Sequence, residues 1–528
     1  MQRVLTAEQM RFVDEQTEQI YKLPSILLME NAAQNVVRAI EQKVGLRNKK
    51  FLVVCGRGNN GGDGAAIARL LWMKGASVIA VLIGKVEQTK ADARVNFEVL
   101  RSINGLRSSV KSTAFEFFEL SERDSIEPFL SESDVVIDAI FGTGLSRPVE
   151  GRFAEIIAMI LSWKERRRGF LIAVDLPSGV NSDDYKIIGD CLRADLTVTF
   201  TAPKIANVLP PAANYCGEVV VANIGSPKEL IDSVGSKIFF AEREDAFVWL
   251  EKTQVSSSSY KKERGRVLIV AGSDDYIGAA ALAANGCFSA GAGMVTLAVP
   301  RKIKFAVASK TINEIIVRAI EDETFFFEDY ECVAVGCGLE SSEETKQLVR
   351  RLVEGRTSAM ILDAEALNSL SPFDLKSESN LPLILTPHIG EFERLLGRKV
   401  SDRVKDAAEF AVRHGVILLL KGERNLIIKP DGTVVVIPTG DSGVSRAGAG
   451  DTLTGILSAF VAQTVARCGL KAEEIFESVV AGTYIAGLAA EIASKKFSRR
   501  FMTPTSVLDC LKQAIIEVTG EDGESISL

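Results

Sequence analysis

The chain has little of what usually marks a disulfide or metal site. Its 528 residues include eight cysteines, none in a Cys-x-x-Cys pair, and Cys332 and Cys337 are the two nearest each other. Neither a disulfide framework nor a zinc site is expected, and a reducing cytoplasm fits best. A basic surplus is missing too. Lys and Arg number 62 against 69 Asp and Glu, a net charge of −7 that argues against a nucleic-acid partner held by phosphate neutralisation. The opening Met1-Gln2-Arg3-Val4-Leu5-Thr6 lacks the apolar core of a signal peptide and leads into a helix, with Thr6 and Gln9 spaced as a capping box, so no export is expected. Residues 276–300 carry no charge and are long enough to span a bilayer. Their apolar content is mostly Ala and Gly, and Asn285, Ser289 and Gly291-Ala292-Gly293 break the run. A buried helix followed by a strand at 294–299 is expected there, and no membrane partner.

The length suggests about two to four domains. Short β-branched runs at 51–55, 77–82, 134–140, 170–174, 196–200 and 218–222 alternate with amphipathic stretches, the pattern of a parallel sheet covered by helices. A second series follows at 266–270, 294–299, 332–335, 359–362, 383–385 and 416–420. Two α/β domains are expected, 1–228 and 236–518, with a linker at 229–235 and a C-terminal tail at 519–528.

The run Gly448-Ala449-Gly450-Asp451-Thr452 enters an uncharged helix expected over 453–465. Small residues let the chain approach phosphate oxygens, and a helix N-terminus adds unpaired N–H groups and partial positive charge. Asp451 beside that anion would take a proton from a substrate hydroxyl as it attacks a phosphoryl group. The bland alternative is a small-residue helix entry capped by Asp451. In the first half, Gly56-Arg57-Gly58-Asn59-Asn60-Gly61-Gly62-Asp63-Gly64 follows a strand and precedes a helix expected over 65–74, the layout of a phosphate cradle. Asp138, Asp175 and Lys204 end neighbouring strands, and Asp138 is followed by the glycine-rich 141–148. Each alone reads as a cap or surface charge; together at one sheet edge they make a site.

These first-half segments, with Leu28-Met29-Glu30-Asn31-Ala32 and Asp175-Leu176-Pro177-Ser178-Gly179, resemble the NAD(P)HX epimerases, a Rossmann-like fold. The resemblance implies that Asn59, Asn60, Gly61, Gly62, Asp63, Gly142, Thr143, Gly144, Leu145, Ser146, Arg147 and Pro148 contact the hydrated dinucleotide. It implies a potassium ion at Asn60, Asp138 and Ser178, and Asp175 and Lys204 as acid/base candidates.

The second half is similar to the NAD(P)HX dehydratases, with a ribokinase-like fold, through Gly272-Ser273, Tyr276-Ile277-Gly278-Ala279, Gly336-Cys337-Gly338-Leu339 and residues 385–391. That resemblance implies Ala279, Gly338, His388 and Asp451 as substrate contacts. Lys421, Gly422, Glu423, Arg424, Asn425, Gly448, Ala449 and Gly450 would hold the nucleotide, ADP with Mg2+. A homo-oligomer acting on NAD(P)HX is implied as well. A helix start after Pro387 would aim His388 at a pocket, whereas His414 reads as a helix C-terminal residue. Departures from the pattern gather here: Lys262, Cys337, Glu340, Glu365, Asn425, Asp441, Ala447 and Ala449 replace other residues of the family. Ala449 lacks a hydroxyl that could bind phosphate and Asp441 adds negative charge, so nucleotide binding would weaken unless Arg446 or Lys421 compensates. The other reading of the same residues is a ribokinase-like small-molecule kinase with a non-catalytic N-terminal binding module.

Overall fold

Branched apolar runs buried on both faces make the frame of each half. The computed structural model describes residues 1–105, 115–145, 147–254, 261–321, 330–375 and 381–520. The chain separates into one unit of Gln2–Ser236 and a second from Lys237 onward.

The first unit is built on seven strands: β1 (Lys50–Cys55), β2 (Ser77–Ile83), β3 (Phe115–Leu120), β4 (Val135–Ala139), β5 (Phe170–Val174), β6 (Leu196–Phe200) and β7 (Glu218–Ala222). Their order is β3-β2-β1-β4-β5-β6-β7, and every neighbouring pair is parallel. Helices cover both faces, so Phe51 to Cys55 and Val135 to Ala139 are buried without alternation. The β1 to α entry is shorter than expected. The helix begins at Asn59 and runs to Met73, so Asn59 to Asp63 form its first turns instead of a free loop. Gly58 sits at the N-cap, and asparagine and glycine take the helical start easily where N–H groups face a cavity.

The second unit has strands β8 (Ile238–Phe240), β9 (Arg266–Val270), β10 (Met294–Val299), β11 (Ile316–Ala319), β12 (Cys332–Val335), β13 (Ala359–Leu362), β14 (Leu383–Leu385), β15 (Ile417–Leu420), β16 (Leu426–Ile428) and β17 (Val434–Val436). They lie in the order β8-β17-β16-β15-β14-β13-β12-β9-β10-β11, parallel except for the antiparallel β15-β16-β17 steps. The uncharged stretch 276–300 is the buried helix Ile277–Ser289 and strand β10. Its Ala and Gly content has a packing cause. The helix Ala449–Cys468 approaches so closely that a Cβ at Gly455 would meet the Ala283 carbonyl oxygen at 2.0 Å. The helix Ala472–Phe497 is also apolar enough to cross a membrane by length and composition, with 67% of its most apolar stretch buried within the protein.

Two boundaries differ from expectation. Residues 229–233, expected in the linker, belong to the helix Lys228–Ser233 of the first unit, where Leu230 packs with Leu5, Met10, Val13 and Ala202. The nucleotide-site helix starts at Ala449, four residues before the expected 453, which places Asp451 in its first turn. Of the expected tail, residues 521–528 lie outside the described residues.

Candidate functional sites

In the first unit the carboxyl ends of β4, β5 and β6 face the start of the helix Asn59–Met73. A cavity of about 900 Å3 lies there, lined among others by Asn59, Asn60, Asp63, Gly142, Thr143, Asp175 and Lys204. The Lys204 ammonium donates to Asp175 Oδ1 at 2.7 Å, Thr199 Oγ1 at 2.8 Å and the Phe200 carbonyl at 3.1 Å. Thr199 Oγ1 also donates to Asp175 Oδ1 at 3.0 Å. Lys204 is 1% exposed and Asp175 10%, so the pair is sequestered and its ammonium is fully hydrogen-bonded. Asp175 holds φ at +67°, in the left-handed region that an aspartate tolerates better than most residues. This turn at the strand end aims its side chain across the sheet edge.

The surrounding carboxylates are strongly perturbed. Burial, then Asp175 and Asp14, pushes Asp63 well above the usual range. Burial pushes Asp14 up to about 6, with Asp175 and Glu15 adding to the effect and Lys204 opposing it. Asp138 is wholly buried. Its Oδ2 accepts from the Ser178 amide at 2.7 Å and its Oδ1 from the Ser178 hydroxyl at 2.6 Å, yet burial still pushes it up to about 6. The Ser178 hydroxyl in turn accepts from the Phe141 amide at 3.0 Å, tying Phe141 to the floor of the site.

In the second unit a cavity of about 840 Å3 is lined by His388, Lys421, Glu423, Asn425, Arg446, Ala449 and Gly450 among others. Lys421 donates to Asp363 Oδ1 at 2.7 Å, and Thr454 to Asp363 Oδ2 at 2.8 Å. Burial opposes the Asp363 charge, but Lys421 and these hydrogen bonds outweigh it and hold the carboxyl low. A Cβ at Gly450 would lie 3.4 Å from the Lys421 ammonium, so glycine brings the helix mouth against this pair. Asp451 is raised by burial and by Asp363, with the Cys337 thiol as a hydrogen-bond partner. A carboxylate of raised affinity for protons at a helix N-terminus suits a base that works beside an anion.

A family model described as NAD(P)H-hydrate dehydratase matches residues 267–513, and one described as YjeF-related protein N-terminus matches 25–206. The bifunctional NAD(P)H-hydrate repair enzyme of Moorella thermoacetica is 35% identical over 96% of each chain. The chain belongs to the bifunctional NAD(P)H-hydrate repair enzymes. The member from Thermofilum pendens is 32% identical over 99% of this chain and 98% of its own. An ADP/ATP-dependent NAD(P)H-hydrate dehydratase from Bacillus subtilis, crystallised with ATP and Mg2+, is 27% identical over 53% of this chain and 98% of its own, with a TM-score of 0.48.

Within this repair enzyme, the first cavity brings together Asn59, Asn60, Asp63, Gly142, Thr143, Gly144, Leu145, Arg147, Pro148, Asp175 and Lys204. Ser146 lies outside the described residues. Gly61 and Gly62 do not line the cavity. A Cβ on Gly61 would meet the Gly56 carbonyl oxygen at 1.9 Å, and one on Gly62 the Ala93 Cα at 2.7 Å, so these glycines serve helix packing. Asp138 and Ser178 are buried and do not line it either. Arg57 and Asp14 do line it. Arg57 belongs to the glycine-rich run after β1, whereas Asp14 stands in an ordinary amphipathic helix that no motif marks.

On the dehydratase side, Gly338 takes φ +65° and a Cβ there would meet Ala279 Cβ at 2.8 Å, which brings these two expected substrate contacts side by side. His388 lines the cavity but also caps the helix Ile389–Leu396: its Nδ1 accepts from the Gly390 amide at 3.0 Å. His414 ends the helix Arg403–His414, as its place before Gly415 suggested. Ala279, Gly338, Arg424, Gly448 and Asp451 do not line the cavity. Gly448 is the left-handed N-cap, and Arg424 lays its guanidinium over the Phe240 ring at 5.5 Å. Asp441 is compensated by a residue not considered from sequence. Arg499 donates to its two oxygens at 3.0 and 2.9 Å and outweighs burial to keep the carboxyl low, whereas Lys421 is engaged by Asp363 and Arg446 donates to the Arg500 carbonyl.

Proposed function

We propose that the two cavities carry the two halves of the family's repair reaction, epimerisation of (R)- and (S)-NAD(P)HX in the first and ADP-dependent dehydration of (S)-NAD(P)HX in the second. The observation that carries this reading is Asp451, with its proton affinity raised, in the first turn of a helix that opens onto Lys421 and Arg446. Asp451 would remove the proton of the substrate hydroxyl as its oxygen attacks the terminal phosphorus of ADP and AMP leaves. Hydroxide is a poor leaving group and phosphate a good one, so loss of phosphate, with the proton of the neighbouring ring carbon passing to solvent, then regenerates the ring double bond. The Gly450 amide in the first helical turn and the Lys421 charge would stabilise the negative charge that builds on the phosphoryl oxygens. Lys421, Gly422, Glu423 and Asn425 would line the nucleotide, and Ala279, Gly338 and His388 the hydrated ring. Mg2+ would accompany the diphosphate, whose oxygens, with the Glu423 carboxylate that lines this cavity, are hard donors suited to it.

In the first cavity Asp175 and Lys204 would exchange protons with the carbinol end of the ring, and Gly142, Thr143, Gly144, Leu145, Arg147 and Pro148 would lie along the dinucleotide. A potassium ion suits the residues assigned to it. Asp138 is a wholly buried carboxylate whose partners, Ser178 and the Ile140 amide, are neutral. Oxygen donors and an uncompensated buried charge favour a hard monovalent cation. Bound there, it would neutralise Asp138 and fix Asn60 at the cavity wall.

The test is to give the full chain both epimers of hydrated NADH with ADP and follow reduced-nicotinamide absorbance and phosphate together. Complete recovery with one phosphate per NADH is expected. Accumulation of a stable phosphorylated product would instead indicate a simple kinase.

A further inference from the structure

The first cavity holds a carboxylate that no motif includes. Asp14 lies on the helix Ala7–Tyr21, whose start is tied to the Lys204 segment: the Leu5 amide donates to the Pro203 carbonyl at 2.9 Å, and Leu5, Met10 and Val13 pack with Ala202. The next residue, Asp14, thereby lines the cavity with Asp63, Asp175 and Lys204. Its Oδ1 is buried without a hydrogen-bond partner, whereas Asp175 is held by Lys204 and Thr199. An unpaired buried carboxylate oxygen is costly, so this group favours its neutral form and is completed by a polar group from a ligand. Burial and the neighbouring Asp175 and Glu15 act in the same direction, Lys204 opposes them, and Asp63 also faces this group.

We propose that Asp14 is the acid that delivers a proton to the substrate hydroxyl during epimerisation, with Asp175 as its counterpart. This rests on the epimerase reading of the cavity. The carbon being inverted bears a hydroxyl and the ring nitrogen. Protonated Asp14 gives its proton to the hydroxyl oxygen, the C–O bond breaks, water departs, and the nitrogen lone pair forms a C=N bond. Water then adds to the opposite face, the C=N pair returns to nitrogen, and Asp175 takes the proton that the entering water loses. One C–O bond breaks and one forms, one proton is given and one taken, and nothing is oxidised or reduced. Solvent in the cavity carries the proton from Asp175 back to Asp14. The buried carboxylates Asp14 and Asp63 also offset the positive charge of the C=N intermediate.

The experiment follows interconversion of the separated hydrated-NADH epimers without ADP, in the full chain and in Asp14→Asn and Asp14→Glu, over pH 5 to 9. Because the acid form is required, wild-type kcat/KM should fall as pH rises through about 6. Asp14→Asn should lose about a hundredfold or more in epimerisation kcat, keep KM within about threefold and lack that descending limb. Asp14→Glu should restore part of the rate and shift the limb. The dehydration rate of the (S)-epimer with ADP should stay unchanged in both variants. Wild-type kcat in Asp14→Asn, or an effect on KM alone, overturns the assignment. Should Asp14→Asn not fold, the Asp14→Glu limb decides, and a limb that does not move overturns the assignment as well. Failure of the wild-type chain to interconvert the epimers would reject the epimerase reading itself, a result distinct from the others.

Discussion

Each unit places a lysine beside a buried aspartate at the carboxyl edge of a mainly parallel sheet, yet the two pairs have opposite surroundings. Around Lys204–Asp175 stand further carboxylates, Asp14 and Asp63, both held toward their neutral forms. Beside Lys421–Asp363 stand a helix N-terminus at Ala449 and Gly450 and the guanidinium of Arg446. The first environment favours proton transfer and cationic character in the substrate, and the second favours a polyanion. The same ion pair therefore supports two chemistries because its neighbours set the sign of the charge that each cavity stabilises.

The largest break in this symmetry should come from Asp451→Asn. It is expected to lower dehydration by about a hundred- to ten-thousand-fold and leave epimer interconversion intact, measured separately by absorbance and chromatography. Lys204→Met should do the reverse in activity. Because it strands Asp175 inside the protein, it should also cost the first unit about 3–5 kcal/mol in a denaturant titration, more than replacing both partners by apolar residues.

A third expectation concerns the proposed potassium site. Asp138 has a folded-state affinity for protons raised from 3.8 to about 6, so the stability linked to its neutral form is present below about pH 4 and is lost as pH rises through 6. Potassium should restore it, by about 2.7 kcal/mol at a hundred times its dissociation constant, and more at pH 8 than at pH 5. Calorimetric melts with K+ against a tetraalkylammonium salt would show this, and the difference should vanish in Asp138→Asn. The smallest effect is expected at Arg446. It lines the nucleotide cavity, and its guanidinium donates to the Arg500 carbonyl. Arg446→Ala should raise the KM for ADP by roughly fivefold, about 1 kcal/mol, with kcat little changed. An unchanged KM would show that Ala449 is not compensated from this side.

Much of this architecture is legible in the chain. The strand runs at 170–174, 196–200, 266–270 and 359–362 coincide with β5, β6, β9 and β13, because parallel strands buried on both faces read as unbroken apolar runs. The strands that escape are of two kinds. Phe115–Leu120 and Ile316–Ala319 are edge strands interrupted by Glu116, Glu119 and Arg318, and Ile238–Phe240, Leu426–Ile428 and Val434–Val436 are three-residue pieces too short for periodicity. Asp14 and Arg499 escape for another reason. Each reaches its partner site from a helix or turn distant in sequence, and only the fold brings Arg499 to Asp441 or Asp14 to Lys204.

The division of labour between the two cavities is tested most directly by one time course. An equal mixture of both epimers of hydrated NADH is incubated with ADP, and recovered absorbance is read in the wild-type chain and in Asp175→Asn. The wild-type chain should return all of the NADH in one phase, whereas Asp175→Asn should return half at the wild-type rate and then stall. Full single-phase recovery in Asp175→Asn would contradict the account.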